Sequence, residues 1–252
     1  MNWVYAVLLL TFCVTVKAAE LTVAFGQSRP PYVDEVLADG ISVRLFDAVA
    51  QKLEWQYQAI FVSNLRMDKL LEQGQVDISV EVQPNNPSLF YSQPFIAYYN
   101  YAIHRHSADL ALNDINDLQH FSLCAWQSAN EHIGISTWTE NKADYWEYPE
   151  QKWQVADWLN GRCEVVLIDE TLLSWHLQQF KTRPEHSDKK IQLDRLGKAL
   201  LPIEQNPLWF YVGFSEASLR DAFDRELTRL KKSGRYDDIR NHFTQTKASA
   251  HP

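Results

Sequence analysis

Asp169 closes the apolar run EVVLI at residues 164–168. A carboxylate ending a buried strand is costly unless something meets its charge. Two partners are open to it: a ligand cation, or the N–H groups of the following segment TLLSWHLQQF, which it would cap. Ser128, Ala129 and Asn130 follow FSLCAW and open another helix. Free N–H groups in such a turn make an anion site, unless Ser128 serves only as a cap. Glu81 and Gln83 flank Val82 at the end of DISVEV, on one face of the strand by alternation. The polar turn QPNNP follows at once, at the carboxyl end of a strand, where open α/β sheets bind ligands. Trp126 ends FSLCAW and suits stacking on a flat or cationic ligand. Five other tryptophans between residues 110 and 200 read as packing. Arg66 lies just beyond the run 55–62, as a ligand-facing cation or a surface charge. His104 and His106 have the spacing of a metal pair, but no Cys or acid cluster stands near them, so no metal is expected. No cofactor is expected either.

The elements that must position these groups follow from periodicity. LTVAF (21–25) and WQYQAIFV (55–62) alternate as strands, and Leu45, Phe46, Val49 and Leu53 share one helical face between them. Ser63 or Asn64 caps a short helix, LRMDKLLEQ, which stops at Gly74, and DISVEV is the next strand. This β-α-β-α-β order implies a parallel sheet with right-handed crossovers. A second unit begins after HRHSADL: NDINDL as a short helix, FSLCAW as a strand, QKWQVADWLNG as a helix closed by Gly161, and EVVLI as a strand covered on both faces. LWFYVGF gives one more strand. The closing helix carries Leu219, Phe223, Leu227 and Leu230 on one stripe. There is no repeat and no Gly/Ser-rich linker, so two compact α/β units joined by short crossings are expected.

The first residues, NWVYAVLLLTFCVTVKA, are apolar and end in small residues, the pattern of a signal peptide over 1–18. Its removal takes away Lys17, leaving 23 basic against 32 acidic residues. So acidic a chain is a poor partner for nucleic acid or an anionic membrane. Cys124 and Cys163 remain, as one disulfide in an oxidising compartment or as two buried thiols.

Several stretches in order resemble the family 3 extracellular solute-binding proteins: PPYVD with DG (30–40), LLEQGQVDISVEV (70–82), FYSQPF (90–95), LNGRCEVVLID (159–169) and LRDAFDRELTRLKKSGRYDDIRNHF (219–243). The resemblance implies a two-lobed periplasmic-binding-protein-like fold of type II, α/β with a parallel-rich sheet in each lobe and a cleft between them. Lobe 1 would comprise 19–106 and 206–252, and lobe 2 residues 107–205, with crossings near 103–110 and 200–208. It further implies that QPNNP faces the cleft, that Tyr32 is a cleft aromatic, that Ser128 to Asn130 hold a carboxylate, and that Asp169 meets an amino group. Relatives that bind amino acids usually carry an Arg just beyond the strand ending here at Val82. This chain has none between Arg66 and Arg105, which leaves Arg66 as the substitute.

The expected function is capture of a small polar solute, amino-acid-like or related, by hinge closure. The expected partners are that solute and a separate membrane permease or sensor, with a monomeric chain in the periplasm. Two other classes compete. One is an enzyme on the same scaffold, resembling dehydratases of cyclic acids, with Glu81 and Asp169 as proton-transfer groups. The other is an adaptor whose cleft takes no ligand.

Overall fold

The computed structural model describes residues 20–27, 29–106, 110–181, 196–204 and 206–245. The expected signal peptide, 1–18, lies outside the described residues. The first unit is the β-α-β-α-β series of the periodicity: β1 (Leu21–Gly26), α1 (Ile41–Lys52), β2 (Tyr57–Val62), α2 (Asn64–Glu72) and β3 (Ile78–Val82). β1 pairs in parallel with both β2 and β3. Three short strands follow, β4 (Phe90–Tyr91), β5 (Ile96–Tyr98) and β6 (Asn100–His104).

The second unit holds a 3-10 turn (Ile115–His120), β7 (Leu123–Trp126), α3 (Ala129–His132), α4 (Ser136–Thr139), β8 (Tyr145–Tyr148), α5 (Gln151–Asn160), β9 (Val165–Asp169), α6 (Glu170–Lys181) and β10 (Gly197–Leu200). The chain then returns through β11 (Leu208–Phe214), α7 (Ala217–Lys232) and α8 (Arg235–Gln245). One sheet has the order β2-β1-β3-β11-β4 with β5 beside β11, and the other the order β10-β6-β9-β7-β8.

Strand β6 corrects one expectation. It pairs with β9 and β10, so Asn100–His104 belongs to the second sheet and the first crossing falls at Tyr98–Asn100. The run FIAYYNYAI (95–103) is apolar and aromatic on both sides of Asn100, which hid the change of sheet. The return runs from Leu200 to Leu208, and Asn206 ties the two crossings side by side. Its amide donates to the carbonyls of Asn100 (2.8 Å) and Leu201 (3.0 Å) and accepts from Asn100 N–H (3.2 Å).

Each sheet is covered by the helices its crossovers supply. On the first, Phe223 of α7 packs against Phe46 of α1 and Phe214 of β11, ring centroids 5.7 and 5.3 Å apart. This is the closing stripe expected from Phe223 and Leu227, both fully buried. In the second, Trp158 of α5 is fully buried and Cys124 is bonded to Cys163 as a disulfide. That resolves the two readings of the cysteines.

The disulfide closes a loop 39 residues apart in sequence, worth about 4 kcal/mol by loop-closure entropy. Replacing both cysteines by alanine should lower the unfolding free energy by about 2 to 4 kcal/mol, read by urea titration against the oxidised protein. A change below about 0.5 kcal/mol would mean that the unfolded chain is not constrained by the link.

Candidate functional site

The loop between β1 and α1 sits at the carboxyl end of β1, and its shape is set by Gly40. That residue has φ +134°, and a Cβ there would lie 2.3 Å from the Tyr32 carbonyl oxygen. Only glycine fits. Ile41 and Ser42 at the head of α1 donate their N–H groups to Pro31 and Tyr32 carbonyls (2.9 and 3.0 Å). The loop is thereby fixed to the helix, and Arg29 and Tyr32 project from a rigid base.

Arg29 pairs with Glu81 across 52 residues of sequence. Glu81 is buried, and one of its carboxylate oxygens accepts from Arg29 and from the Tyr98 hydroxyl (3.0 Å), the other from Ser42 Oγ. Glu81 has φ +68°, left-handed backbone rare outside glycine. The register of β3 against β11 slips at this point, with Tyr211 opposite Val82 and Val212 opposite Val80. The bulge turns the Glu81 side chain inward at some cost in strain, a feature that concentrates at functional sites. Burial, the largest single influence, works against the charge of Arg29, but Glu81 together with Tyr98 and Tyr32 outweighs it, and the guanidinium is held above its ordinary value. Its carbon lies 5.5 Å from the Tyr98 ring centre and 6.0 Å from that of Phe210.

Asp169 is the last residue of β9 and is 3% exposed. One oxygen accepts from the Tyr32 hydroxyl and the Leu172 N–H (both 3.0 Å), the other from the Tyr99 N–H (2.9 Å). It therefore caps α6, grips the first crossing, and joins the two lobes through Tyr32. Burial pushes its carboxyl up to about 6, only partly countered by the donors of Leu172, Tyr99 and Tyr32. Tyr32 is itself buried and packs on Tyr98 with ring centres 4.1 Å apart. Burial first, then the Asp169 charge, drives its hydroxyl well above the ordinary value, so it stays a donor.

Arg29 and Asp169 border a cavity of about 70 Å³ beside the crossings, with Glu81 and Tyr32 bonded to them from behind. Arg29, Tyr98 and Phe210 wall it from the first lobe, Trp126 and Asp169 from the second, and Asn100 lies at the crossing itself. A separate groove of about 220 Å³ runs between Pro30 and Pro31 of the same loop and Trp175 and Gln178 of α6.

Of the residues singled out by sequence, Tyr32, Glu81, Trp126 and Asp169 are thus brought together by this cavity and its hydrogen bonds. The others lie elsewhere. Arg66 is exposed in the first turn of α2, because Met67 and Leu71 take the buried face. The cation at the cavity is Arg29, which the sequence reading passed over. Gln83 donates to the Trp209 carbonyl (2.9 Å). The QPNNP turn does not border the cavity: the Asn86 amide donates to Glu72 of α2 (2.9 Å) and its N–H to the Tyr91 hydroxyl of β4 (3.2 Å). The turn between Ser128 and Asn130 is occupied from within. Glu147 of β8 accepts both N–H groups, at 2.7 and 3.0 Å, and the Tyr145 hydroxyl at 2.6 Å. His104 accepts the N–H of His106 (3.0 Å), and no cluster of three metal-ligating side chains occurs among the described residues.

Two helix-covered sheets joined by paired crossings, with buried charge between them, define a two-lobed binding protein. The chain matches the model of the bacterial extracellular solute-binding proteins, family 3, over residues 21–246. It belongs to that family. No curated protein sequence matches it significantly. Among solved structures, the GluR0 ligand-binding core in complex with L-glutamate is similar at TM-score 0.70 and 16% identity, over 90% of this chain and 99% of that one. A histidine kinase sensor domain with similarity to periplasmic binding proteins follows at 0.67 and 16%, over 90% and 96%. The amino acid ABC transporter substrate-binding protein AbpA from Streptococcus pneumoniae Canada MDR_19A, bound to L-arginine, is similar at 0.64 and 19%, over 89% and 94%. At these identities the likeness establishes the fold.

Because the Asp169 carboxyl is raised from 3.8 to about 6, the folded protein binds this proton more tightly than the unfolded chain does. Its contribution to stability is therefore present below pH 4 and lost as the pH rises through 6. Each pH unit between the two values is worth about 1.4 kcal/mol, so roughly 2 to 3 kcal/mol should disappear between pH 4 and 7. Wild type and Asp169→Asn, unfolded by urea across that range, should converge at the acid end and diverge near neutrality; parallel curves would refute the assignment.

Glu81→Ala would leave a buried, unpaired guanidinium and should cost about 3 to 5 kcal/mol. The double variant with Arg29→Ala should be no less stable than Glu81→Ala alone. Additive losses in that cycle would show that the pair is not coupled.

Proposed function

We propose that this protein captures a small polar solute between its lobes and presents the closed form to a separate membrane permease or sensor. The observation that carries the reading is Asp169. It is a buried carboxylate at the crossings, exposed to the cavity, and bonded across the lobes to Tyr32. A group so placed favours the closed arrangement only when its charge is met, which makes ligand binding and lobe closure one equilibrium.

The family description supports an extracellular setting, and a cleaved leader over 1–18 directing the chain to the periplasm fits it. The likeness to a transporter's binding protein and to a kinase sensor domain supports either outlet, uptake or signalling. The chain acts as a monomer, with Asp169, Trp126 and Arg29 on its binding surface and Tyr32 and Glu81 holding the two charged groups in place behind it. One observation favours a second reading: a carboxyl near 6 is suited to proton transfer, as in an enzyme on this scaffold.

Mass spectrometry of small molecules released on denaturing the purified protein separates the two. A molecule recovered intact, which on re-addition shrinks the radius of gyration in small-angle scattering, is the expected result. At about 100 times its Kd it should add roughly 2.7 kcal/mol of stability. Chemical turnover of that molecule would favour the enzyme. No contraction with any solute would overturn the reading.

A further inference from the structure

Asn100 stands directly opposite Asp169 in the antiparallel register of β6 and β9. Residues paired in this way project from the same face of a sheet, their Cβ atoms about 5 Å apart. Asp169 borders the cavity, and Asn100 beside it is a wall of the same cavity, itself only 6% exposed. The Asn100 backbone is fixed by Asn206, which bonds both its N–H and its carbonyl. Its side-chain amide is different: no hydrogen bond from the described residues reaches it. A buried amide on a cavity wall calls for a partner, and here the cavity is where that partner must come from.

The chemistry of the amide narrows that partner. It presents an N–H₂ donor and a carbonyl acceptor side by side. The group that meets both at once is the same pair reversed, a carboxamide. A carboxylate offers acceptors alone and would set a second negative charge against Asp169. The partners of Asp169 are a tyrosine hydroxyl and two backbone N–H groups, all neutral, so nothing screens that repulsion. A hydroxyl or an ester fills one half of the Asn100 amide and leaves the other unmet.

The rest of the wall suits a flat body behind such a group. Trp126 comes from the second lobe and Phe210 from the first, and both border this cavity with aromatic rings. Aromatic faces of this kind favour a flat, conjugated ring.

We propose that the solute is an uncharged carboxamide on a flat conjugated ring. Its amide pairs edge to edge with the Asn100 side chain, and its ring lies against Trp126 and Phe210. This rests on the cleft reading above and names the group read beside Asp169.

The test uses the folded chain, freed of any bound molecule by reversible unfolding, and titration calorimetry at neutral pH. Three probes share one ring: nicotinamide, methyl nicotinate, which keeps the carbonyl but lacks the N–H₂, and nicotinate, which is charged. A panel of α-amino acids and monosaccharides runs alongside. Nicotinamide should bind at least about 10-fold more tightly than methyl nicotinate and about 100-fold more tightly than nicotinate. Asn100→Ala, with folding checked by its melting curve, should bring nicotinamide and methyl nicotinate to equal affinity. A merely loosened fold would weaken both and leave their ratio intact. That ratio unchanged in Asn100→Ala, or either other pyridine binding wild type as tightly as nicotinamide, would overturn the proposal. An amino acid or a sugar binding more tightly than nicotinamide would also overturn it, and leave the binding-protein reading standing. No heat from any probe or panel member would overturn the proposal and count against the cleft reading with it.

Discussion

Asp169 is a buried carboxylate whose three donors come from three separate parts of the chain. Leu172 belongs to the helix that begins beside it, Tyr99 to the first crossing, and Tyr32 to the loop of the opposite lobe. Each bond alone is an ordinary one, worth about 1.5 to 3 kcal/mol to a charged acceptor. Together they fix where α6 starts, how β6 leaves the first lobe, and how closely the lobes approach. Neutral donors lessen the cost of burying the charge without cancelling it, which is why the carboxyl stays above its ordinary range.

Glu81 solves the same problem in the opposite way. Its charge is met in full by Arg29, and the surrounding hydroxyls of Ser42 and Tyr98 fill the remaining acceptor positions. Such a pair contributes little net stability over an apolar replacement, but it fixes geometry because breaking either half is severe. Here it aligns Tyr98, which packs on Tyr32, which in turn reaches Asp169. The two acids are therefore linked through a pair of packed tyrosines, one acid fully compensated and one left short of a cation. That asymmetry gives the cavity its chemical character.

The fold was legible wherever hydrophobic period and length agreed. The β-α-β-α-β opening, the covered strand before Asp169 and the Phe223–Leu227 stripe each bury a long, unambiguous face. The pieces that were missed are short. β8 is four residues, YWEY, all half-buried, with no alternation to betray it, and β6 continues an apolar run through a change of sheet. The site divides along the same line. Asp169 and Glu81 could be found because an acid ending an apolar strand is conspicuous. Arg29 lies in the aperiodic loop GQSRPPYVDE, where nothing but its position after β1 marks it. The carboxyl end of a strand in an open sheet is itself that mark, and it applies to the first strand as much as to the third.

Glu147 illustrates what no local pattern carries. The turn Ser128–Asn130 has the donors of an anion site, and the sequence shows them correctly; what it hides is that the anion comes from a strand 17 residues further on. Parallel pairing of β7 and β8 places Ala125 opposite Glu147, so the carboxylate arrives beside the turn by register alone. A binding feature read from one segment can be filled by another whenever the sheet brings a charged residue alongside. In this chain that happens twice, once with Glu147 at a backbone anion site and once with Glu81 at a guanidinium. The repetition matters because both events remove positive or donating character from a cleft and leave Asp169 facing it unbalanced. Selectivity in such a cleft is set less by the groups it possesses than by the ones its own side chains have already satisfied.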